Sequence, residues 1–299
     1  MPESIDRHKL NLALRRGDAL PPCPAVLSKV AELSRDPGST ARDLGRIIAT
    51  DEALASRLIR RVNSAYYGLR GTISTVTQAV VILGYQEIRN TVYAVQTEQV
   101  FRDQAGSGNS DVLALWDHSL QVAVLAREFS YQVRHPVPEE VFVGGIIHDI
   151  GQVIMSTVLG EEYRRFKARA HADGLDLAAA EAEAFGADHA RIGWELTSKW
   201  DFPESLQVAV RCHHQLAESD EELIGIAPMV LAGNVVCIAR ERGASGAGAL
   251  NGIPGRVREL LRLDLVRLEE CMASAAQEYG RIRGSFDLTG TTDGEEEFQ

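Results

Sequence analysis

From about residue 24 onward, apolar side chains recur at spacings of three and four, and that period confines the chain to helices. In "STARDLGRIIATDEALASRLIRRVN", Leu44, Ile47, Ile48, Leu58, Ile59 and Val62 form one apolar stripe. Ser39 or Thr40 is placed to cap the first helix of this stretch, and Asp51 to open the next. "STVTQAVVILG" follows, with a capping box in Thr75 and Gln78 and a stop at Gly84. A further helix is expected from about Gln86 to Phe101. Aromatic residues are only 6% of the chain, and the β-branched ones sit mostly in helix-period patterns, so the expected fold class is all-α.

The polar, glycine-containing stretch "RDQAGSGNSD", residues 102–111, is the best linker candidate. Beyond it, "VLALWDHSLQVAVLAREFSYQV" is apolar nearly all round, which calls for burial on several sides. Helices are expected around residues 139–157, 160–172, 175–185, 188–200, 203–215 and 222–241. "GASGAGALNGIPG", residues 243–255, is expected to be a mobile loop. A last amphipathic helix carries Leu265, Leu268, Met272, Ala276 and Tyr279, and the acidic "TGTTDGEEEFQ" is expected to be disordered. The organisation that follows is an extension over 1–17, a domain over 18–285 and a tail over 286–299. Within the domain, a helical N-terminal part (18–108) precedes a second helical part (109–285).

The chain has 299 residues, 45% hydrophobic and 24% charged, enough for a substantial core in a soluble globular protein. A formal charge of -11 argues against a nucleic-acid or anionic-membrane partner. Arg57, Arg60 and Arg61 are expected to be the solvated face of a helix. Cys23, Cys212, Cys237 and Cys271 lie far apart without a CxxC pair, and "MPESIDRHKLNLALRRG" has no apolar run of signal-peptide or membrane length. These features point to a reduced, cytoplasmic protein. Trp194 and Trp200 are expected to be packing anchors, and Gly144 and Gly145 to let neighbouring helices approach closely.

Histidine placement carries the chemistry. Five of the eight histidines fall in the second half at points that can converge: His118, His148, His189, His213 and His214, with Asp149 beside His148 in "GGIIHDIG". Imidazole and carboxylate are the ligands of Zn, Fe and Mn sites, and helical bundles build such sites from facing helices. From spacing alone two readings stand level: a metal site, or a metal-free pocket of mutually hydrogen-bonded histidines. His8, His135 and His171 are assigned no role.

The order of His118, then "HD", then His189, then "HH" resembles the ligand order of HD-type phosphohydrolases, the HD-GYP branch most. The chain as a whole resembles the HDOD family, the HD-related output domains of bacterial signalling. The segments that carry the resemblance are "LPPCPAVLSKVAEL", "IIATDEALASRLIRRVNSAYYG", "ISTVTQAVVILGYQEIRN", "LWDHS", "GGIIHDIG", "FGADHARIGWELTSKWDFPESLQVAV" and "HH", in order over roughly residues 18–240. The resemblance implies an all-α unit with an HD-like helical bundle in which His118, His148, Asp149, His189, His213 and His214 fall on the ligand positions of one divalent ion: iron, zinc or manganese. It also exposes two departures. Gln152 stands where the HD-GYP pattern has lysine, and Asn234 where it has an aspartate; the "GYP" segment is missing as well. Asp149 is then the one anionic ligand in view, too little to compensate two divalent ions.

The resemblance implies a signal-transduction output module. It would act through partners such as a histidine kinase, a response regulator or a diguanylate-cyclase type of protein, with an HD-like site that no longer turns over. Two alternatives remain open: a metal-dependent phosphohydrolase or phosphodiesterase acting on nucleotides or cyclic dinucleotides, and a metal or nucleotide sensor without turnover. No GxSxG elbow or activated cysteine offers another chemistry.

Overall fold

Among the described residues, five helices form the N-terminal half: α1 (Ala25–Arg35), α2 (Ala41–Ile48), α3 (Glu52–Val62), α4 (Val76–Leu83) and α5 (Tyr85–Ala105). The computed structural model describes residues 20–36, 38–106, 109–216 and 225–288, and all regular structure among them is helical. The starts are set by local chemistry. Thr40 and Asp43 form a reciprocal capping box on α2, and Asp51 accepts from the Leu54 N–H on α3. Thr75 caps α4 through the Gln78 N–H, while the Gln78 side chain reaches the backbone of Ser74, so the expected box closes one residue early. Gly84, at φ 88°, turns the chain from α4 into α5. Leu44, Ile48, Leu58 and Val62 are fully buried, as the stripe requires.

The second half runs α6 (Ser110–Gln132), α7 (Pro138–Ile147), α8 (Ile150–Leu159), α9 (Glu161–Ala172), α10 (Leu177–Phe185), α11 (His189–Lys199), α12 (Glu204–Cys212) and α13 (Ala227–Glu241). Three more helices follow: α14 (Gly246–Gly252), α15 (Gly255–Leu260) and α16 (Leu265–Ile282), then a 3-10 turn, Arg283–Phe286. Helix α6 is the central post, packed on α5, α7, α13 and α16. The 22 residues Pro138–Leu159 contain an 18-residue window apolar enough to cross a membrane, with mean hydropathy 1.5, but 83% of that window is buried inside the fold. It is the core pair α7–α8.

Several expectations change. The helix expected over 139–157 breaks at His148 and Asp149, which cap α7 and α8. Most of residues 102–111 is helical: α5 runs to Ala105 and α6 starts at Ser110. Within 243–255, α14 forms because Ser245 caps it and Ala249 and Ile253 supply buried anchors. Arg61 is not on a solvated face; it is 6% exposed and ion-paired with buried Glu98, its guanidinium lying 3.3 Å from the centre of the Phe286 ring. Nor does a disordered tail begin at 286. Phe286 and Leu288 are buried, Trp116 donates to the Phe286 carbonyl at 2.6 Å and Arg102 to that of Leu288 at 2.7 Å. The expected extension over 1–17 and residues 289–299 lie outside the described residues.

"NSAYYG" sits at the junction of the halves. Asn63 exchanges two hydrogen bonds with the Ile73 backbone, while the Tyr66 ring meets Phe142 of α7 at a tilt and Phe286 edge-on, and its hydroxyl donates to Glu139. Trp200 anchors the opposite side, buried and donating to the Pro21 carbonyl at 3.1 Å.

Two glycines fix the distances between the helices that carry the histidines. A Cβ on Gly145 would lie 2.3 Å from Ala123 Cα on α6, and one on Gly151 would lie 1.9 Å from the His189 carbonyl oxygen. Neither backbone atom can yield without moving a helix. Gly151→Ala is therefore expected to lose about 1–3 kcal/mol of stability, the usual cost of overpacking. Urea unfolding checks this, and an unchanged midpoint would contradict the close approach of α8 to α11.

Candidate metal centre

Five imidazoles from four parts of the chain converge on one carboxylate. Asp149 is 4% exposed. Its Oδ1 lies 3.2 Å from His189 Nε2 and 3.3 Å from His213 Nε2; its Oδ2 lies 3.4 Å from His148 Nε2 and 3.8 Å from His118 Nε2. His214 joins through its Nε2, 2.7 Å from that of His189. The donor atoms fall into two groups that share Asp149: His118, His148 and Asp149, and Asp149, His189, His213 and His214, each within 4.8 Å.

The outer nitrogens explain the orientation. His148 caps α7 and bonds the Gly145 carbonyl through Nδ1 at 2.7 Å; His213 caps α12 and bonds the Val210 carbonyl likewise at 2.7 Å. A carbonyl oxygen only accepts, so Nδ1 carries the hydrogen in both rings and each Nε2 presents a lone pair inward. His118 on α6 directs Nδ1 at Glu241 at 2.7 Å, and His189 directs Nδ1 at Glu181 at 2.6 Å. Glu181 also accepts the His189 backbone N–H at 2.8 Å, and Tyr163 donates to its other oxygen. That places His189 at the first turn of α11, facing the His148–Asp149 break.

Lone pairs aimed at one another repel unless a cation lies among them. His189 Nε2 is 3.2 Å from His213 Nε2, and no hydrogen bond reaches His148 Nε2 or Asp149 Oδ1, although both atoms are buried. Imidazoles held by outer carboxylates and carbonyls are the usual support of a metal site. With neutral imidazoles, Asp149 and Glu181 carry two negative charges, which one divalent cation would neutralise. The donor set therefore fits a divalent metal ion.

Sequence reasoning missed Glu181 and Glu241. Glu181 is fully buried in "LAAAEAEAF", where alanines leave the helix register open, so no sequence signal set it apart from Glu183. Glu241 is an exposed residue at the end of α13, indistinguishable from a solvated one by sequence. The two departures also acquire partners. Gln152 donates to Asp149 Oδ2 at 2.9 Å, and Asn234 Oδ1 lies 3.1 Å from His118 Nε2. A groove of about 620 Å³ opens beside His118, Asp149 and Gln152, between α6, α9 and α13; His171 and Lys167 line it.

Charge at the centre is strongly biased. Burial alone would raise the Asp149 pKa, but the surrounding His148, His189 and His213 rings hold it well below the usual carboxylate range. Burial works against a proton on His189, yet Glu181 and Asp149 prevail and lift its pKa to about 10. Burial pushes His213 down to about 4 and His214 lower still. His118 is raised: burial opposes its proton, while Glu241 and Asp149 favour it.

Residues 20–216 match the family model of the HDOD domain. The fold is similar to that of an HDOD domain protein of unknown function from Geobacter sulfurreducens, at 22% identity and TM-score 0.73, covering 93% of this chain and 97% of that one. It is also similar to a Shewanella amazonensis protein provisionally named a phosphohydrolase (23% identity, TM-score 0.69, 96% and 99% covered). A Marinobacter aquaeolei protein provisionally named a signal transduction protein aligns at 18% identity and TM-score 0.71, covering 96% of this chain and 66% of that one. The chain spans about half the length of the curated relative it matches, an uncharacterized Treponema pallidum protein 23% identical over 291 residues and 96% of this chain.

The opposed shifts set a pH dependence for the metal-free protein. His189, raised to about 10 from 6.5, contributes stability that is complete below about 6.5 and lost as pH rises through about 10. His213, lowered to about 4, contributes stability that is lost as pH falls from about 6.5 toward 4. Melting temperatures are expected to fall on both sides of neutrality, and Glu181→Gln is expected to remove most of the alkaline loss. A melting temperature flat from about pH 4 to 10 would contradict this charge arrangement.

Proposed function

Because the chain belongs to the HDOD domain family, we propose that it is a signalling regulatory domain whose HD-like centre holds one divalent metal ion without serving as a hydrolytic catalyst. The observation that carries the metal reading is the inward convergence of imidazole Nε2 atoms on Asp149, with His148 and His213 fixed as Nδ1–H tautomers. His118, His148, Asp149, His189 and His213 would hold the ion, and His214 would complete the set. Iron, zinc and manganese all suit such nitrogen and oxygen donors. A bound divalent ion can lower the pKa of a coordinated water.

The chain's own residues support positioning rather than turnover. Glu181 and Glu241 hold the His189 and His118 rings, and Gln152 spends its amide on Asp149 instead of on a ligand. Asn234 supplies no charge where a second ion would need it. The signalling half of the reading is supported by the family and by the name of the Marinobacter protein. Its partners would be signalling proteins of the histidine kinase, response regulator or diguanylate-cyclase type. One feature favours the alternative of a metal-dependent phosphohydrolase: the groove beside Asp149 is large enough for a substrate.

Protein purified without an immobilised-metal column or chelator is expected to carry about one equivalent of metal by mass spectrometry, the stoichiometry that the charge argument sets. His148→Ala with Asp149→Ala removes it, and Glu181→Gln weakens the affinity about 10–100-fold through loss of the outer carboxylate. No stoichiometric metal, even after loading, would overturn the metal reading. The loaded protein is expected to leave phosphodiesters and cyclic dinucleotides intact, and turnover of any of them would establish the hydrolase alternative instead. Metal uptake at pH 7 should release a proton, because His189 is protonated there in the metal-free state. Calorimetric heats that are independent of buffer ionisation enthalpy would contradict that.

A further inference from the structure

The two helices that end in His148 and His213 begin together at the junction of the halves. Glu140, in the first turn of α7, accepts a hydrogen bond from Ser205, in the first turn of α12, and its other oxygen pairs with Arg89 of α5 at 3.2 Å. The Arg89 and Glu140 side chains are each 12% exposed, so the pair is shielded from solvent. From this node the helices run in step. His148 follows Glu140 by eight residues and His213 follows Ser205 by eight, a rise of about 12 Å in each. Between those ends they lie against each other: a Cβ on Gly144 would meet the Ala209 Cβ at 3.5 Å. At the far end one kind of bond, from Nδ1 to the carbonyl three residues back, sets both rings. The ring centres stand 4.9 Å apart, facing opposite oxygens of Asp149.

We propose that Arg89 is a positioning residue for the metal centre: by holding Glu140 on Ser205 it fixes the spacing of His148 and His213, and so couples the N-terminal half to metal occupancy. The proposal rests on the reading of the centre as a metal site. Without Arg89, the Glu140 carboxylate loses its cation in a shielded place and turns toward solvent. Ser205 then loses its acceptor, and the starts of α7 and α12 are free to shift apart. A shift of either helix reaches the ring at its other end, where metal–donor distances must hold within about 0.2 Å. Linkage makes the effect mutual: whatever Arg89 adds to metal affinity, the bound ion returns as a tighter seat for α5 on α7. The N-terminal half thereby registers whether the centre is filled, which gives a domain without turnover a way to pass on its state.

Competition with a chromophoric chelator, on the full chain and with zinc and manganese as probes, tests this. Arg89→Met is expected to weaken metal binding about 2–30-fold, the range for a residue that acts through its neighbours. Ser205→Ala should weaken it in the same direction, and the double variant little more than Arg89→Met alone, because both act through Glu140. Arg89→Lys should restore most of the affinity. Leu27→Ala, which opens a cavity in α1 outside the node, should lower the melting temperature and leave the affinity unchanged. In hydrogen exchange, metal loading should slow the α5 amides of the wild type and not those of Arg89→Met. Should Arg89→Met fail to fold, Ser205→Ala decides the question. Unchanged affinity in the folded variants, an equal loss in Leu27→Ala, or α5 exchange indifferent to loading overturns this proposal alone. A protein that takes up no metal overturns the reading of the centre and this proposal with it.

Discussion

The buried charge of Asp149 is the constraint around which the second half is organised. A carboxylate in a protein interior stays ionised only if donors or cations offset the lost hydration. Here the compensation comes from imidazoles, each held by an outward bond at Nδ1 for the four rings that show one. That arrangement solves one problem and creates another. Rings turned to face a carboxylate also face one another, and their lone pairs are compatible only with a proton or a metal ion between them. In the metal-free protein the proton on His189 fills that role, shared between Glu181 on one side and the cluster on the other. A metal ion would fill it for the whole set.

The scaffold explains how the geometry is held. His148 and Asp149 occupy the break between α7 and α8, so adjacent residues reach opposite sides of the cluster. His213 ends α12 with the same carbonyl bond three residues back that His148 makes at the end of α7. Gly145 and Gly151 bring α7 against α6 and α8 against α11, closer than any side chain permits. Around this, ion pairs brace each half from within, and Arg89 on α5 meets Glu140 on α7 across the junction. Arg61 meets Glu98, and Arg127 meets Glu139 and Glu278, beneath the ring of Tyr66. Breaking one partner of such a pair leaves an uncompensated buried charge, so the junction tolerates little substitution.

Most of the helices and their caps were legible in the sequence, because each leaves a local mark, a period or a capping side chain; the six candidate ligands were singled out by histidine placement and by the family resemblance, and the fold brings them together. What was not legible depends on tertiary contact. Glu181 and Glu241 look like ordinary helix glutamates until the fold sets them against His189 and His118. Arg61 shares its helix with exposed Arg60, and only Glu98 on α5 tells them apart. Gly246 to Gly252 looks like a loop by composition, yet the burial of Ala249 makes it a helix. The charge count from sequence was short for the same reason: Asp149 was visible as a candidate ligand, while the carboxylate behind His189 was not.

The most direct measurement is X-ray absorption spectroscopy at the edge of whatever metal the purified protein carries. The account predicts a shell of nitrogen and oxygen donors at about 2.0–2.2 Å with the outer scattering of several imidazoles and no sulfur. A sulfur shell near about 2.3 Å would move the metal to a cysteine site. A metal shell without imidazole scattering would leave the five inward-facing histidines without the role assigned to them.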